Sequence, residues 1–328
     1  NDIGVLAAAT AFGKTVLGAY LIAQKKVNAL VLVHNVEIMN NWIKDLNSFL
    51  TINEELPTYT TPKGRVKKRS SLIGTFSSQK DATTGIIDIA MITSLGREDN
   101  INELVRNYGM VIVDECHHAA AVTHENVLRA VTARYIYGMS ATINRGDKQD
   151  KKMFMQLGPI RHRYTAKERA QKQGIGHYIY PRFTRLVDLN QSEDRNPADY
   201  YRLIMQSELR NMQIVSDTID CVKRGRTPVV MTKYKEHAQK LYDMLQGSAD
   251  HVFLLQGGKS LKERAAIRED MAAVRADESI ILVAIGQYVG EGFNYPRLDT
   301  MLLAMPISFE GNVEQHAGRL NRDYEGKK

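Results

Sequence analysis

Three groups of residues in this chain have the types and spacing to handle a phosphate. The first is Gly13-Lys14-Thr15, within LAAATAFGKTVLGAY at 6–20. A glycine lets backbone approach an anion closely, a lysine supplies charge, and a threonine hydroxyl can ligate a hard cation such as Mg²⁺. The pattern G-x-x-x-x-G-K-[ST] is incomplete: Ala8 stands where its first glycine belongs, and Ala11 puts a further alanine in the loop. A buried helix carrying a chance Gly-Lys-Thr is the competing reading.

The second group is Asp114-Glu115 in MVIVDECHH at 110–118. Four apolar residues make a buried strand, and the acids appear at its C-terminal end, where ligands bind in open parallel sheets. Asp114 is placed to hold Mg²⁺ through water, and Glu115 to orient or deprotonate an attacking water. A polar strand terminus is the plainer alternative. His117 and His118 lack the spacing of a zinc pair, and a polar contact is their ordinary use.

The third group is GNVEQHAGRLNR at 311–322, read as a helix. Gln315, Arg319 and Arg322 fall at i, i+4 and i+7 and share one face, opposite Val313, Ala317 and Leu320. Planar cationic donors suit the charge that develops on a transferring γ-phosphate, although a solvated basic face is the common explanation of such a stripe. Ser140-Ala141-Thr142, after another apolar strand, is a weak signal alone and gains weight from following Asp114-Glu115.

Positioning these groups requires parallel strands covered by helices. Short apolar runs at 3–8, 29–34, 86–92, 110–114 and 134–140 alternate with helical patterns at 14–26, 36–50, 99–106 and 124–132. The second half repeats the theme, with strands at 227–232, 251–256, 279–285 and 299–305 and helices at 199–224, 234–246, 260–274 and 311–321. The expected fold class is α/β, as two lobes with parallel sheets flanked by helices and a join within 160–180.

The 328 residues suffice for two cores. With 43% hydrophobic and 25% charged residues the composition is that of a globular protein. No apolar run approaches the roughly 18 residues a membrane span needs, so no membrane partner is expected. Two cysteines without metal or disulfide spacing fit a reducing compartment, and a cytoplasmic location is expected. The net charge of +7 is compatible with a polyanionic partner. Its basic clusters, PKGRVKKRSS at 62–71 and IRHRYTAKERAQK at 160–172, read either as solvated faces or as nucleic-acid contacts. Trp42, the one tryptophan, reads as core rather than as a platform for bases.

Taken in order, these motifs resemble those of superfamily 2 helicases over nearly the whole chain. AATAFGKT resembles motif I, LVLVHNVEIMNNW motif Ia, DIAMITSL motif Ib, DECHH motif II, SAT motif III, PVVMTKYKEHAQKL motif IV, ILVAIGQYVGEGFN motif V and QHAGRLNR motif VI. The set is most similar to the branch of restriction-enzyme motor subunits and of DNA repair and transcription helicases. The resemblance implies two tandem RecA-like P-loop domains, 1–175 and 176–328, both cut at the outer ends of a longer protein. It implies ATP with Mg²⁺ in the cleft between them, and a helicase or translocase working on nucleic acid, DNA ahead of RNA. A translocase that never separates strands, or a binding module without hydrolysis, are the alternatives.

The resemblance also assigns roles. Thr10, Ala11, Gly13, Lys14 and Thr15 with Asp114, Gly292 and Asn294 bind the nucleotide, and Thr15 and Asp114 hold Mg²⁺. Glu115, Gln315, Arg319 and Arg322 are catalytic; Ser140, Thr142 and His117 couple hydrolysis to movement. Thr93, Ser94 and Thr232 touch a nucleic-acid backbone. Two departures stand out: Ala11 replaces a frequent motif I glycine, and Asn294 a frequent motif V aspartate.

Overall fold

The computed structural model describes residues 2–8, 12–61, 63–97, 100–120, 122–141, 150–165, 168, 171, 176, 178–184, 196–258, 261–289, 293, 295–307, 310–320, 322, 324 and 327. The chain divides into two compact units, Asn1–Gln173 and Gly174–Lys328.

The first unit runs β1 (Ile3–Ala8), α1 (Lys14–Lys25), β2 (Ala29–Val33), α2 (Val36–Phe49), β3 (Thr58–Thr60), β4 (Val66–Lys68), β5 (Ile73–Ser77), β6 (Lys80–Asp81) and β7 (Ile87–Met91). It continues through α3 (Ile92–Leu95), β8 (Gly96–Arg97), β9 (Asn100–Ile101), β10 (Met110–Asp114), α4 (Val122–Arg129), β11 (Tyr135–Ser140), α5 (Asp150–Leu157) and β12 (Ile160–Tyr164). Eight strands form one sheet in the order β12-β1-β11-β10-β2-β7-β5-β6. Every pairing in it is parallel except that of β5 with β6.

The apolar strands are covered on both faces, which is why their sequences do not alternate with polar residues. In β2 and β10, Leu30, Leu32, Val111 and Val113 face a core closed by Val127 and Leu128 of α4 and Met153 and Leu157 of α5. Their neighbours Val31, Met110 and Ile112 face the opposite core, closed by Ala19 and Ile22 of α1 and Trp42 and Leu46 of α2. Successive side chains point to opposite faces, so one strand serves both cores.

The second unit holds α6 (Pro197–Gln206), α7 (Glu208–Lys223), β13 (Pro228–Thr232), α8 (Lys235–Leu245), β14 (His251–Leu255), α9 (Leu261–Ala273), β15 (Ile280–Ile285), α10 (Gly286–Val289), β16 (Thr300–Leu303) and α11 (Glu310–Leu320). Its four-stranded sheet has the order β14-β15-β13-β16, all parallel. Val230, Ile281 and Val283 pack against α7 and α8, while Val229, Met231, Leu282 and Ala284 pack on the other face with Met271 and Phe293.

Several elements differ from the sequence expectation. The helix expected over 99–106 is only a 3₁₀ turn at Glu103–Arg106, and the one over 199–224 breaks at Ser207 into α6 and α7. Helix α11 buries members of both of its sequence faces: Arg319 and His316 are buried and Leu320 packs on the core, whereas Val313 and Ala317 are exposed. Arg319 is accommodated inside because a carbonyl partner satisfies it, as described below.

The basic stretch beginning at Ile160 opens as strand β12 on the sheet edge beside β1, where Arg161 Nε donates to Ile3 O at 3.1 Å. Charged side chains on an edge strand hide its period-2 pattern and guard the edge against further pairing.

Asp88 on β7 is fully buried and keeps its charge satisfied locally. It accepts from Thr84 N at 2.8 Å, Gly85 N at 2.7 Å, Thr84 Oγ1 at 3.1 Å and Tyr108 Oη at 2.6 Å. This clamp fixes the turn entering β7, the strand that leads into Thr93 and Ser94. Asp88→Asn is expected to destabilise the first unit by about 2–4 kcal/mol, read as a lower denaturant midpoint of that unit's transition. An unchanged midpoint would show that the clamp contributes nothing.

Candidate nucleotide site

Three neighbouring strands, β1, β11 and β10, deliver their C-terminal ends to one edge of the first sheet. The register sets Ala7 beside Ser140 and Asp114 beside Met139. The chain leaving β1 returns as α1, whose first residue follows Gly13 in a left-handed conformation, φ 90°. That conformation favours glycine. The N-cap of α1, Gly13, has no side chain to offer a cap, and helix N-termini of this kind suit an anion. Thr10 and Ala11 lie outside the described residues.

Lys14 Nζ donates to Glu115 Oε1 at 2.9 Å, joining the glycine-lysine-threonine segment to the paired acids. Glu115 has φ 45°, which is rare for a residue with a side chain. This turn directly after β10 takes Glu115 out of the strand direction, and holding it costs on the order of 1–2 kcal/mol. Asp114 stays in line with the strand. Its Oδ2 accepts from Trp42 Nε1 at 2.8 Å and its Oδ1 from Glu115 N at 2.9 Å.

Burial and charge set the ionisation of this cluster. Burial alone favours neutral Glu115, but the Lys14 ammonium and the hydrogen bond and charge of His117 outweigh it, holding the carboxyl well below the usual range. Burial likewise opposes charged Lys14, and the Glu115 and Asp114 carboxylates overcome it, so its pKa is raised. Asp114 is pushed up by burial and by Glu115, an effect only partly offset by Lys14 and the Trp42 hydrogen bond. Because the Glu115 value is depressed on folding, its contribution to stability is present above pH 4.5 and is lost as pH falls through the depressed value.

Around this cluster, His117 Nδ1 lies 2.8 Å from Ser140 Oγ and 3.4 Å from Glu115 Oε2. Ser140 is fully buried, so Glu115, His117 and the end of β11 form one polar group. The His118 ring packs on His117 and on His34 at the end of β2, with centroids 4.1 and 4.6 Å apart. Thr142 lies outside the described residues. Thr15 is half-buried in the first turn of α1; Thr93 is exposed and Ser94 half-buried in α3.

Trp42 is the contact of the candidate site that sequence reasoning missed. Its ring is core, 1% exposed, yet its N–H reaches the carboxylate expected to hold Mg²⁺. A Cβ on Gly18 of α1 would overlap this ring, so that glycine lets α1 and α2 approach closely. The available signal was an aromatic with one polar handle on a buried helix face, since such groups find a partner when buried.

In the second unit, Arg319 Nη1 and Arg322 Nη2 both donate to Phe293 O, each at 3.3 Å. The two arginines expected to act together are therefore brought together, on a carbonyl of the motif V stretch. The Gln315 side chain, Gly292 and Asn294 lie outside the described residues. His316 is held neutral, its pKa lowered to about 4 by burial and by Arg319. Thr232 is buried at the end of β13, its Oγ1 2.8 Å from His237 Nδ1. Asn211 Nδ2 donates to Met205 O, so Asn211 Oδ1 accepts from His237 Nε2 at 2.9 Å, leaving Nδ1 to accept the Thr232 proton. Burial lowers the His237 pKa to about 4, which keeps that tautomer neutral.

The chain resembles known proteins in sequence and in fold. Residues 1–145 match the family model described as type III restriction enzyme, res subunit. Over 340 residues the chain is 24% identical to "Probable helicase D10" of Escherichia phage T5, covering 100% of this chain and 66% of that protein. It is 24% identical to the transcript termination protein A18 of Fowlpox virus, covering 96% of this chain and 66% of that one. The chain carries a superfamily 2 helicase core. This core thus spans just under two thirds of the length of those two relatives.

Solved structures agree on the helicase-core fold. The type ISP restriction-modification enzyme LlaBIII bound to DNA aligns with TM-score 0.60 at 13% identity, covering 100% of this chain and 26% of that one. Dbp5 of S. cerevisiae bound to RNA and ADP BeF3 aligns with TM-score 0.55 at 12% identity, covering 98% of this chain and 76% of that one. Among the described residues, no helix of the helicase core is long and apolar enough to cross a membrane.

The core's single tryptophan gives a direct readout of the Asp114 contact. Indole emission is expected to change as pH falls through the raised Asp114 pKa, and Asp114→Asn should remove that transition. A transition that persists in the variant would detach Trp42 from Asp114.

Proposed function

We propose that this chain is the motor of a nucleic-acid-dependent ATPase, hydrolysing ATP to move along nucleic acid, DNA in preference to RNA. The observation that carries the reading is the Lys14 to Glu115 contact at the C-terminal edge of a parallel sheet, with Asp114 held beside it by Trp42. A lysine, a metal-type carboxylate and a water-type carboxylate sit together at the open end of a helix. That is the equipment phosphoryl transfer to water requires, since positioning and electrostatics supply most of its catalysis.

In this reading the first-turn N–H groups of α1 and the Lys14 ammonium receive the phosphates. Lys14 then exchanges its Glu115 partner for phosphate oxygens, which frees that carboxylate to orient a water. His117 retains the other carboxylate oxygen and so limits its rotation. The donor set fits Mg²⁺: Asp114 and Thr15 offer hard oxygens, and this ion binds through one or two protein oxygens with the rest from phosphate and water. When bound, Mg²⁺ supplies charge neutralisation at the phosphates. Gln315, Arg319 and Arg322 are assigned to the charge that develops on the transferred group, and Thr93, Ser94 and Thr232 to the nucleic-acid track. Thr232 would have to surrender its His237 contact to donate to a phosphate.

ATP turnover stimulated by nucleic acid is the expected activity. Lys14→Ala and Glu115→Gln should each lower it by about 10³-fold, with Glu115→Gln still binding nucleotide. Unchanged turnover in Glu115→Gln would overturn the assignment. Trp42→Phe keeps an aromatic side chain, smaller than the indole, and removes the N–H, so the Mg²⁺ concentration for half-maximal nucleotide binding should rise about tenfold. Equal Mg²⁺ dependence in wild type and variant would reduce Trp42 to a packing residue.

A further inference from the structure

Between α2 and β5 the chain forms a separate ribbon. Among the described residues, strands β3 and β4 pair only with each other, antiparallel, with Thr58 opposite Lys68, Tyr59 opposite Lys67 and Thr60 opposite Val66. The turn is closed by Gly64 N donating to Thr61 O at 2.8 Å, with Gly64 at φ 74°. Residues 56–72 contain no acid and the cations Lys63, Arg65, Lys67, Lys68 and Arg69. The first four of these are exposed, and none of the five enters an ion pair with a described residue. Glu54 and Glu55, just before the ribbon, are exposed and bridge to none of them.

Alternation along the strand distributes this charge over both faces. Arg65, Lys67 and Arg69 share the face of Tyr59, where the Arg69 guanidinium lies 4.2 Å from the ring centroid. Lys68 points to the other face with Thr58, Thr60 and the exposed Val66. A flat anionic surface would be met by cations on one face only. Unpaired cations on both faces of a narrow ribbon suit a partner that flanks it on both sides with negative charge. The major groove of B-form DNA is such a partner: it is wide enough for a two-stranded β-ribbon and is walled by two phosphate backbones. The major groove of an A-form RNA duplex is too deep and narrow to admit one.

We propose that the ribbon formed by β3 and β4 enters the major groove of duplex DNA and grips both phosphate walls through Arg65, Lys67 and Lys68. This rests on the motor reading above and gives it a duplex track. The contact is made to phosphates and carries no sequence preference, as a motor that passes over any sequence needs.

The test is binding of fluorescent duplex DNA, duplex RNA and single-stranded DNA over a range of salt. The protein is compared with a variant carrying Arg65→Gln, Lys67→Gln and Lys68→Gln together. A charge control carries Lys80→Gln, Lys151→Gln and Lys223→Gln. The ribbon variant should bind duplex DNA about tenfold to a hundredfold more weakly near 0.1 M salt, with a log-log salt slope shallower by about 2.7, or 0.9 per lost phosphate contact. Its affinity for duplex RNA and single strands, its thermal unfolding and its ATP turnover without nucleic acid should stay at wild-type values. Unchanged duplex DNA affinity and slope, an equal loss on RNA duplexes, or an equal loss in the charge control each overturns the proposal. Wild-type protein that binds no nucleic acid overturns both this proposal and the motor reading. Tight, ribbon-dependent duplex binding without stimulated ATP turnover supports the ribbon and overturns the motor reading alone.

Discussion

The ion pair between Lys14 and Glu115 is the contact on which the first unit's candidate site depends. It joins segments 101 residues apart, and only the adjacency of β1, β11 and β10 brings them within reach. Two further constraints make it possible. Gly13 takes the left-handed conformation that starts α1 at the sheet edge, and Glu115 accepts a positive φ that turns it away from its own strand. Both are local costs in backbone freedom, offset by a charge pair in partly buried surroundings where Coulomb attraction is stronger than in water.

The pair also organises what surrounds it. Glu115 draws His117, which reaches Ser140 at the end of β11, and its N–H anchors one oxygen of Asp114. The other oxygen of Asp114 is tied to Trp42, which joins the carboxylate to the core of α2. Helix α2 begins two residues after β2, and its start is capped by Asn35, whose Oδ1 accepts from Ile38 N at 2.8 Å. The second unit uses the same device on a smaller scale: buried polar side chains satisfied by one another or by a carbonyl, as in Thr232, His237 and Asn211, or in Arg319 and Arg322 on Phe293 O. Each such group would be costly to bury unpaired.

Much of the architecture was legible in the sequence because a strand covered on both faces is an uninterrupted apolar run. Every such run became a strand, from IGVLAA to TMLL, within about two residues of its expected ends. Elements whose stability comes from neighbours left a fainter trace. IRHRY pairs with β1 as an edge strand and carries two arginines and a histidine, so its composition reads as surface. The ribbon of β3 and β4 has no core face, and its periodicity is masked by lysine and arginine on both sides. In α11 Arg319 is buried because a carbonyl on another segment satisfies it, which periodicity within one helix does not encode.

By itself the sequence determined the chemical inventory and the order of the strands along the chain: a glycine-lysine-threonine segment, two acids at a strand end and an arginine pair, all set on α/β lobes. Apolar runs and residue types are local properties, so they survive without coordinates. Only the tertiary structure decided that Lys14 meets Glu115, that Trp42 is both core and the partner of Asp114, and that Arg319 turns inward to Phe293 O. It also decided that Lys63, Arg65, Lys67 and Lys68 stand exposed on a two-stranded ribbon, without an ion-pair partner among the described residues. These are facts of pairing between distant segments, and pairing is set by strand order and helix packing rather than by any stretch of sequence read alone.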